Sequence, residues 1–331
     1  MNHLAIGVCV SNEDGDNPVI SVIIVSYNTR ELTIECLQAV YSNLGNITAE
    51  IWVVDNNSRD GTVDAIQLQF PDVNVIKNER NAGFGAANNI AMRRSRGKYF
   101  LLLNSDAFLT RGAIDSMLSC AEHHPNAAVI GPRLSNADDS LQVSCFPFPS
   151  PVRAWLENLW ISSLFSHNTS FGDYRRWPHD SEQAVDSVIG ACMLVRREAF
   201  DQTGGFDGAF FMYQEETDWQ KTLRERGWIV YFTPHARVTH LGGASGKDEV
   251  TRINAHFFES LDYYESKHHG TVGLLSLRAA MIIGCFARAI LWGLVLVAIP
   301  KRRKAAYSKF RLHSHLFIRQ ATHWRFGMRS N

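Results

Sequence analysis

Tyr99-Phe100-Leu101-Leu102-Leu103 runs without a break into Asn104-Ser105-Asp106. A short, continuous apolar run closed by a turn signal is the pattern of a strand covered on both faces. In open α/β sheets, ligands bind beyond the carboxyl ends of the strands, so Asp106 stands where such a sheet meets its ligand. A carboxylate there, beside the short polar Asn104, suits a hard divalent cation that keeps several waters and also takes phosphate oxygens. The simpler reading is an Asx turn that closes the strand, since Asn-Ser-Asp favours turns. The rest of the chain separates the two.

Upstream, the same kind of run recurs. Val19 to Ser26 (VISVIIVS) is almost wholly β-branched, and Glu50 to Val54 is a second strand ended by Asp55-Asn56-Asn57-Ser58-Arg59-Asp60-Gly61. Between them, Asn28 and Glu31 have capping-box spacing, and Leu32, Cys36, Leu37 and Val40 follow at helical spacing. A helix to about Phe70, a short strand at Val73 to Ile76 and a helix from about Phe84 to Arg96 complete the approach to Tyr99. This strand–helix alternation predicts an α/β fold with a parallel, doubly wound sheet. Downstream, Phe146-Pro147-Phe148-Pro149-Ser150-Pro151 breaks regular structure, and Val152 to Phe165 predicts a helix carrying Trp155 and Trp160. Ser166 to Gln183 is polar and loop-like, Val185 to Val195 predicts a strand, Glu215 to Arg226 a helix and Trp228 to Phe232 a strand. Ala236 to Thr239 is strand-like, and Gly242 to Asp248 is a Gly-rich loop.

The chain has 331 residues, enough for one large α/β domain with appendages or for two domains. Lys+Arg and Asp+Glu both total 33, so there is no global electrostatic case for a nucleic-acid partner. Cys9, Cys36, Cys120, Cys145, Cys192 and Cys285 are dispersed, with no Cys-x-x-Cys pair. That argues against a zinc site or a disulfide scaffold and fits a reducing cytoplasm. Met1 to Asn17 lacks the basic-then-apolar layout of a signal peptide and reads as a polar leader.

Four further features bear on chemistry. Asp55 ends the second strand, where a carboxylate accepts from a nucleobase imide or a ribose hydroxyl; alone, the turn-rich Asp-Asn-Asn-Ser reads as a turn. Asn81-Ala82-Gly83-Phe84-Gly85-Ala86-Ala87-Asn88 opens a helix with two glycines that would admit a phosphate or sugar to backbone N–H groups. It approaches the dinucleotide fingerprint, but Asn88 stands where the third glycine belongs, and the segment follows the third strand, not the first. Tyr213-Gln214-Glu215-Glu216-Thr217-Asp218-Trp219 packs three acids into four positions. On a helix Glu215 and Asp218 share a face while Glu216 points about 100° away. Crowded carboxylates raise one another's pKa, which suits a general base; a plain acidic helix start is the competing reading. His240, just ahead of Leu241-Gly242-Gly243, is either structural or a site residue beside a lid hinge.

Taken in order, Val22-Ile23-Ile24-Val25-Ser26-Tyr27-Asn28, Val53-Val54-Asp55-Asn56-Asn57-Ser58, Asn81-Ala82-Gly83-Phe84, Leu103-Asn104-Ser105-Asp106, Gly190-Ala191-Cys192-Met193-Leu194-Val195 and Glu215-Glu216-Thr217-Asp218 resemble family 2 glycosyltransferases of the GT-A fold. The resemblance runs from about Val19 to Ser245, and within the family it is greatest to bacterial rhamnosyltransferase-type members. It implies a nucleotide-sugar site in which Asp55 meets the base and Ser26, Tyr27 and Asn28 line the nucleoside. Asn81, Gly83, Phe84, Asn88, Asn104, Gly190 and Ala191 would complete the lining. It implies that Asp106 is the last acid of the family's Asp-x-Asp metal motif, here with Asn104 as first member, and that His240 completes a Mg2+ or Mn2+ site. The catalytic base falls by position on Glu216, with Glu215 its rival. The implied reaction inverts the anomeric centre: one base deprotonates the acceptor hydroxyl while a cation stabilises the departing nucleoside diphosphate.

The tail from Ala279 to Ile299 is apolar apart from Arg288 and long enough for ~30 Å of hydrocarbon. Lys267, His268, His269 and Arg278 precede it and Lys301-Arg302-Arg303-Lys304 follow it, so a single span would set one basic cluster against the positive-inside tendency. A helix or broken helical pair lying in the cytoplasmic interface of the cell membrane is expected instead, with a buried core or dimer helix as the alternative. The expected division is a leader over 1–18, a GT-A domain over 19–250 (nucleotide-sugar half 19–110, acceptor half 111–250) and a basic, membrane-associating helical tail over 251–331. The expected activity is transfer of a sugar, L-rhamnose from dTDP-rhamnose first, to a lipid-linked or polysaccharide acceptor in cell-envelope glycan synthesis, the acceptor being a glycan or a polyprenyl-diphosphate-linked intermediate. A UDP-hexose or UDP-N-acetylhexosamine donor is the rival within the class. A nicotinamide-dependent oxidoreductase and a non-catalytic nucleotide-sugar-binding partner are the rivals outside it.

Overall fold

The structure, a computed structural model, describes residues 17–162, 174, 177–242 and 250–322, with side chains in the last stretch from 256 onward. The expected leader up to residue 16, the polar loop over 166–173 and 175–176, and the Gly-rich loop over 243–248 lie outside the described residues. The chain forms two compact units, Met1–Phe148 with Trp177–Ser260 and Pro149–Arg176 with Leu261–Asn331.

The first unit alternates β1 (Ile20–Ser26), α1 (Arg30–Leu44), β2 (Ala49–Asp55), α2 (Thr62–Gln69), β3 (Asn74–Lys77), α3 (Phe84–Arg94) and β4 (Tyr99–Asn104). It continues through β5 (Ala107–Leu109), α4 (Ala113–His123), β6 (Ala127–Ser135), β7 (Leu141–Gln142) and β8 (Cys145–Phe146). After the second unit's first segment come β9 (Gln183–Val185), β10 (Ser187–Val188), β11 (Cys192–Arg196), α6 (Arg197–Thr203), α7 (Glu215–Glu225) and β12 (Ile229–His240). The main sheet has the order β3-β2-β1-β4-β11-β6-β12-β5, with β7 on β6 and β9 on β12. β1 pairs parallel with β2 and β4, β2 with β3, and β12 with β6, whereas β11 is antiparallel to both neighbours. The fold is thus mixed α/β with a mostly parallel centre.

β1 and β4 need apolar residues on both faces because helices cover both. Val22, Ile24, Leu101 and Leu103 join Cys36, Leu37, Val40, Ile114 and Met117 in one core cluster. On the opposite face Phe100 meets Phe200 edge to face, ring centroids 5.4 Å apart. The register decides where function can sit: Ser26 pairs with Asp55 and Val25 with Asn104, so three carboxyl ends lie in line. The reversed β11 starts at that same edge, with Cys192 opposite Leu103, and β5 on β12 sets Ala107 opposite His240.

Three expectations change. The single strand over Val185 to Val195 is three short strands with different partners: β9 on β12, β10 on β8 and β11 between β4 and β6. An apolar run fixes strand character but not the neighbour it pairs with. The capping box does not form, because Asn28 has φ 52° and accepts from Arg59 N–H (2.8 Å), Glu31 pairs with Arg30, and Thr29 is the N-cap residue without a side-chain cap bond. The two short stretches expected at 228–232 and 236–239 are one strand, β12, continuous across a register irregularity between Thr233 and Arg237.

The second unit contains α5 (Pro151–Asn158), α8 (Val250–Ala298) from Leu261 onward and α9 (Arg303–Thr322). Ser150 caps α5 by accepting from Arg153 N–H (3.3 Å), and Pro151 occupies the first turn, where a missing N–H costs nothing. Trp155 donates to Ser276 (3.0 Å), and Ala154 packs with Leu277 and Ala280. α8 is interrupted by Gly270 at φ 66°, so the tail is a broken helical pair. Arg288, expected as an isolated charge in the apolar stretch, donates to Asn158 Oδ1 and Glu157 O (both 3.1 Å) and covers the Trp160 ring. His256–Ala298 carries a stretch of mean hydropathy 2.2 and is long and apolar enough to cross a membrane.

Candidate active site

At the end of β2, Asp55 is 3 % exposed. Its Oδ2 accepts from Ser58 N–H (2.9 Å), while its buried Oδ1 has no hydrogen-bond partner. A buried carboxylate oxygen without a donor is costly, and a ligand N–H or O–H would satisfy it. Asn28 fastens the end of β1 to this loop: its N–H donates to Ser58 Oγ (2.9 Å) and its Oδ1 takes Arg59 N–H. Tyr27 is 37 % exposed beside it. Ser26 does not face outward, because its hydroxyl is bonded to Thr29 (3.2 Å) and Thr33 (2.9 Å), and Thr29 reaches Ser105 (2.9 Å) across to the turn after β4.

The glycines at the start of α3 are taken up by the chain itself. Gly83 has φ 85°, and a Cβ there would collide with the Phe211 carbonyl oxygen; a Cβ at Gly85 would lie 2.8 Å from Phe206 Cβ. The close approach that these glycines allow is therefore made by the 206–211 segment. Asn81 Oδ1 accepts from Gly83 N–H (2.9 Å), and Asn56, which the sequence offered only as part of a turn, donates to Gly83 O (3.2 Å). Asn88 is fully buried; it donates to Phe84 O (3.0 Å), and its Oδ1 has no partner.

After β4, Asp106 and His240 meet because β5 pairs with β12. Asp106 Oδ1 lies 3.4 Å from His240 Nε2, and Asn104 Nδ2 lies 3.4 Å from the same nitrogen. Asp106 is 7 % and His240 9 % exposed. A carboxylate oxygen and an imidazole nitrogen at this separation form an oxygen–nitrogen donor set that fits Mg2+ or Mn2+. His240 Nδ1 is bonded to Gln142 Oε1 (2.8 Å), a residue 98 positions away that carries no sequence signal. A second group, Cys120 of α4, His124 just after it and Glu182 just before β9, gathers donor atoms within 4.8 Å of one another, but burial pushes the Cys120 thiol up to about 12, and a thiol is a poor partner for a hard cation.

The acids of α7 approach from the reversed strand. Gly190 N–H donates to Glu216 Oε1 (3.4 Å), and the next carbonyl, Ala191 O, accepts from Asn104 N–H (2.9 Å). The Gly190-Ala191 turn thus joins the glutamate to the end of β4. A Cβ on Gly190 would press on Phe84 at 3.0 Å. Glu215 and Asp218 are both buried, and Glu216 turns off their shared face to the strand edge. Burial, and then the Glu216 charge, push the Glu215 carboxyl well above its ordinary range; burial raises Glu216, against the pull of backbone N–H groups that include Gly190. One buried oxygen on each, Oε2, has no hydrogen-bond partner. Tyr213 and Gln214, with φ 69° and 66°, hold the chain in left-handed conformation just before α7, a strain that sequence reading did not detect.

Residues 21–204 match the sequence model of Glycosyl transferase family 2. Over 241 residues the chain is 31 % identical to N-acetylglucosaminyl-diphospho-decaprenol L-rhamnosyltransferase of Mycobacterium tuberculosis, covering 66 % of this chain and 76 % of that protein. Among solved structures, the mannosyltransferase PcManGT of Pyrobaculum calidifontis, in complex with GDP-Man and Mn2+, superposes with a TM-score of 0.55 at 16 % identity, covering 96 % of this chain and 91 % of that one. GalNAc-T7 with UDP, GalNAc and Mn2+ gives 0.53 at 14 % identity, covering 90 % and 55 %. The strand order and the edge at which these side chains meet define a GT-A-like α/β protein. The chain belongs to glycosyl transferase family 2, and within it is similar to a rhamnosyltransferase.

Proposed function

We propose that this chain is an inverting, divalent-cation-dependent glycosyltransferase that moves L-rhamnose from dTDP-rhamnose to a polyprenyl-diphosphate-linked glycan in cell-envelope synthesis. The observation that carries the reading is the shared edge. The Asp106–His240 pair, at 3.4 Å, and Glu216, held by Gly190 N–H, are linked through Ala191 and Asn104. Asp106 and His240 would hold the cation, which when bound would supply positive charge against the negative charge that a departing nucleoside diphosphate gathers. Glu216 Oε2 takes the acceptor hydroxyl's proton, Oε1 being occupied by Gly190 N–H. Asp55 Oδ1 accepts from the base, and Asn28 and Tyr27 flank it. The rhamnose donor and the polyprenyl acceptor are supported by the name of the mycobacterial relative, and the cation by the Mn2+ of both structural neighbours. A UDP-hexose or UDP-N-acetylhexosamine is the alternative donor. The nicotinamide alternative loses its motive, since Phe206 and Phe211 occupy the space of the glycine-rich turn.

Residues 19–250 would then form the catalytic domain and 251–331 a tail that lies on the cytoplasmic face of the membrane. Its exposed Ile283, Phe286, Ile290, Leu294 and Val297 and its basic Lys301 to Lys304 favour that setting. A panel of dTDP-, UDP- and GDP-sugars together with NAD, assayed for thermal stabilisation with and without Mn2+ and, for the sugars, for hydrolysis, tests the reading. Stabilisation by a dTDP-sugar only when Mn2+ is present is expected; stabilisation by NAD and by none of the sugars would overturn it.

A further inference from the structure

The Asp106–His240 pair serves a cation only if His240 turns a lone pair, not a proton, toward Asp106. Imidazole has two neutral tautomers, and the bond made by the far nitrogen selects between them. Here the far nitrogen, Nδ1, faces Gln142 Oε1 at 2.8 Å. A glutamine can present either end, so the direction of this bond depends on what holds the amide.

Gln142 is held at its other end. Its Nε2 reaches Asn136 Oδ1 (2.9 Å) and the His240 carbonyl oxygen (3.2 Å), both acceptors, so a flipped amide would set oxygen against oxygen twice. Asn136 is held in turn, its Nδ2 reaching Ser140 Oγ at 2.9 Å. Ser140 has one proton, and Oγ gives it to Asp138 Oδ1 at 2.5 Å, leaving only a lone pair for Asn136. Asp138 ends the chain as an acceptor, because the Ser140 hydroxyl and N–H hold its carboxyl below the usual range. All these residues except His240 lie on the β6–β7 hairpin, where Leu134 pairs with Gln142, Ser135 with Leu141, and Asn136 N–H with Ser140 O (2.9 Å). Each link fixes the next: Ser140 to Asp138, Asn136 to Ser140, Gln142 to Asn136, His240 Nδ1–H to Gln142.

We infer that Gln142 is a positioning residue for the cation: anchored by the β6–β7 hairpin, it commits His240 Nδ1–H and leaves the Nε2 lone pair facing Asp106. The hairpin is then the outer frame of the site and not a surface ornament of the sheet. This inference rests on the cation reading of Asp106 and His240 proposed above.

The test uses the full chain and Mn2+ alone. Nitrogen-15 spectra of histidine-labelled, metal-free protein, recorded above the ordinary histidine pKa range and assigned with His240→Gln, are expected to show His240 protonated at Nδ1. Gln142→Leu, of similar size, removes the acceptor; it should shift His240 toward the Nε2–H tautomer and weaken Mn2+ binding, measured by paramagnetic resonance of the free ion, by about 10- to 100-fold. Asp106→Asn is the reference and should abolish binding. Ser140→Ala leaves Gln142 in place and only unlocks Asn136; should Gln142→Leu lose its cooperative melt, a mixed His240 tautomer in Ser140→Ala supports the relay and an unchanged one counts against it. An Nε2–H tautomer in the wild type, or unchanged Mn2+ affinity in a folded Gln142→Leu variant while Asp106→Asn binds none, overturns the role of Gln142 and leaves the cation site standing. Undiminished binding in Asp106→Asn overturns the cation site itself.

Discussion

Glu215 and Glu216 are neighbours in sequence with different surroundings. Glu215 is packed beneath α3, its Cγ 3.5 Å from the position of a Cβ on Gly85, whereas Glu216 reaches the Gly190 turn. With Glu216 as the base, Glu216→Gln removes proton transfer and should lower kcat by about 10²- to 10⁴-fold while donor binding, followed by calorimetry, is retained. The opposite pattern, with Glu215→Gln inactive and Glu216→Gln active, would reverse the assignment. A base works deprotonated, and burial raises Glu216, so kcat should rise with pH along a limb displaced to the alkaline side of an ordinary carboxylate. Glu215 has a consequence for stability. Its folded pKa lies well above the ordinary carboxylate value, so between the two the native state holds more protons than the unfolded chain, and stability falls as pH rises. Glu215→Gln should therefore melt about 2–4 °C above wild type at neutral pH for each kcal/mol recovered, with the gain fading as pH approaches the ordinary carboxylate value.

At the scale of elements, the start of α3 and the 206–211 segment are locked by absent side chains. Gly83→Ala must displace the Phe211 backbone and adopt φ 85°, which costs about 1–3 kcal/mol. The thermal midpoint should fall, and kcat with it, because the displaced segment leads directly into Tyr213, Gln214 and the acids of α7; an unchanged midpoint and rate would show that the segment yields freely. This junction also marks how far the sequence could be read. The runs at Val19 to Ser26 and Tyr99 to Leu103 announced their strands because burial on both faces leaves them almost wholly apolar, Ser21 and Ser26 being the polar exceptions. Asp55 and Asp106 were legible for the same reason, as the first acids after such runs. β11 was not, since its reversal between β4 and β6 is set by partners distant in the chain, and neither was the break that frees Gly190 and Ala191 to bridge Glu216 and Asn104. Gly83 and Gly85 were legible as a close approach but not as to what: Phe206 and Phe211 lie too far along the chain for spacing to connect them. Gln142, on a two-residue strand, has no periodicity to betray it.

For the whole molecule, a formal charge of zero hides a segregated distribution. Lys301, Arg302, Arg303 and Lys304 are all exposed directly after the apolar helix, whose outward residues include Val297 at 76 % and Leu294 at 64 % exposure. Apolar area and basic charge are the two contributions that together hold an interfacial helix on an anionic leaflet. Each basic residue near such a surface contributes about 1 kcal/mol, so replacing all four with Gln should weaken binding to vesicles containing anionic lipid by roughly 10²- to 10³-fold. Neutral vesicles should barely distinguish the two proteins, and added salt should erase the difference as the Debye length shrinks from about 10 Å at 0.1 M. Turnover of a water-soluble acceptor should be unaffected, because none of the four residues belongs to the sheet edge that carries Asp106, His240 and Glu216. Vesicle binding that survives both the charge replacement and high salt, but fails when Phe286, Leu294 and Val297 become Ser, would assign the attachment to hydrocarbon burial alone and favour a span over a helix resting on the surface.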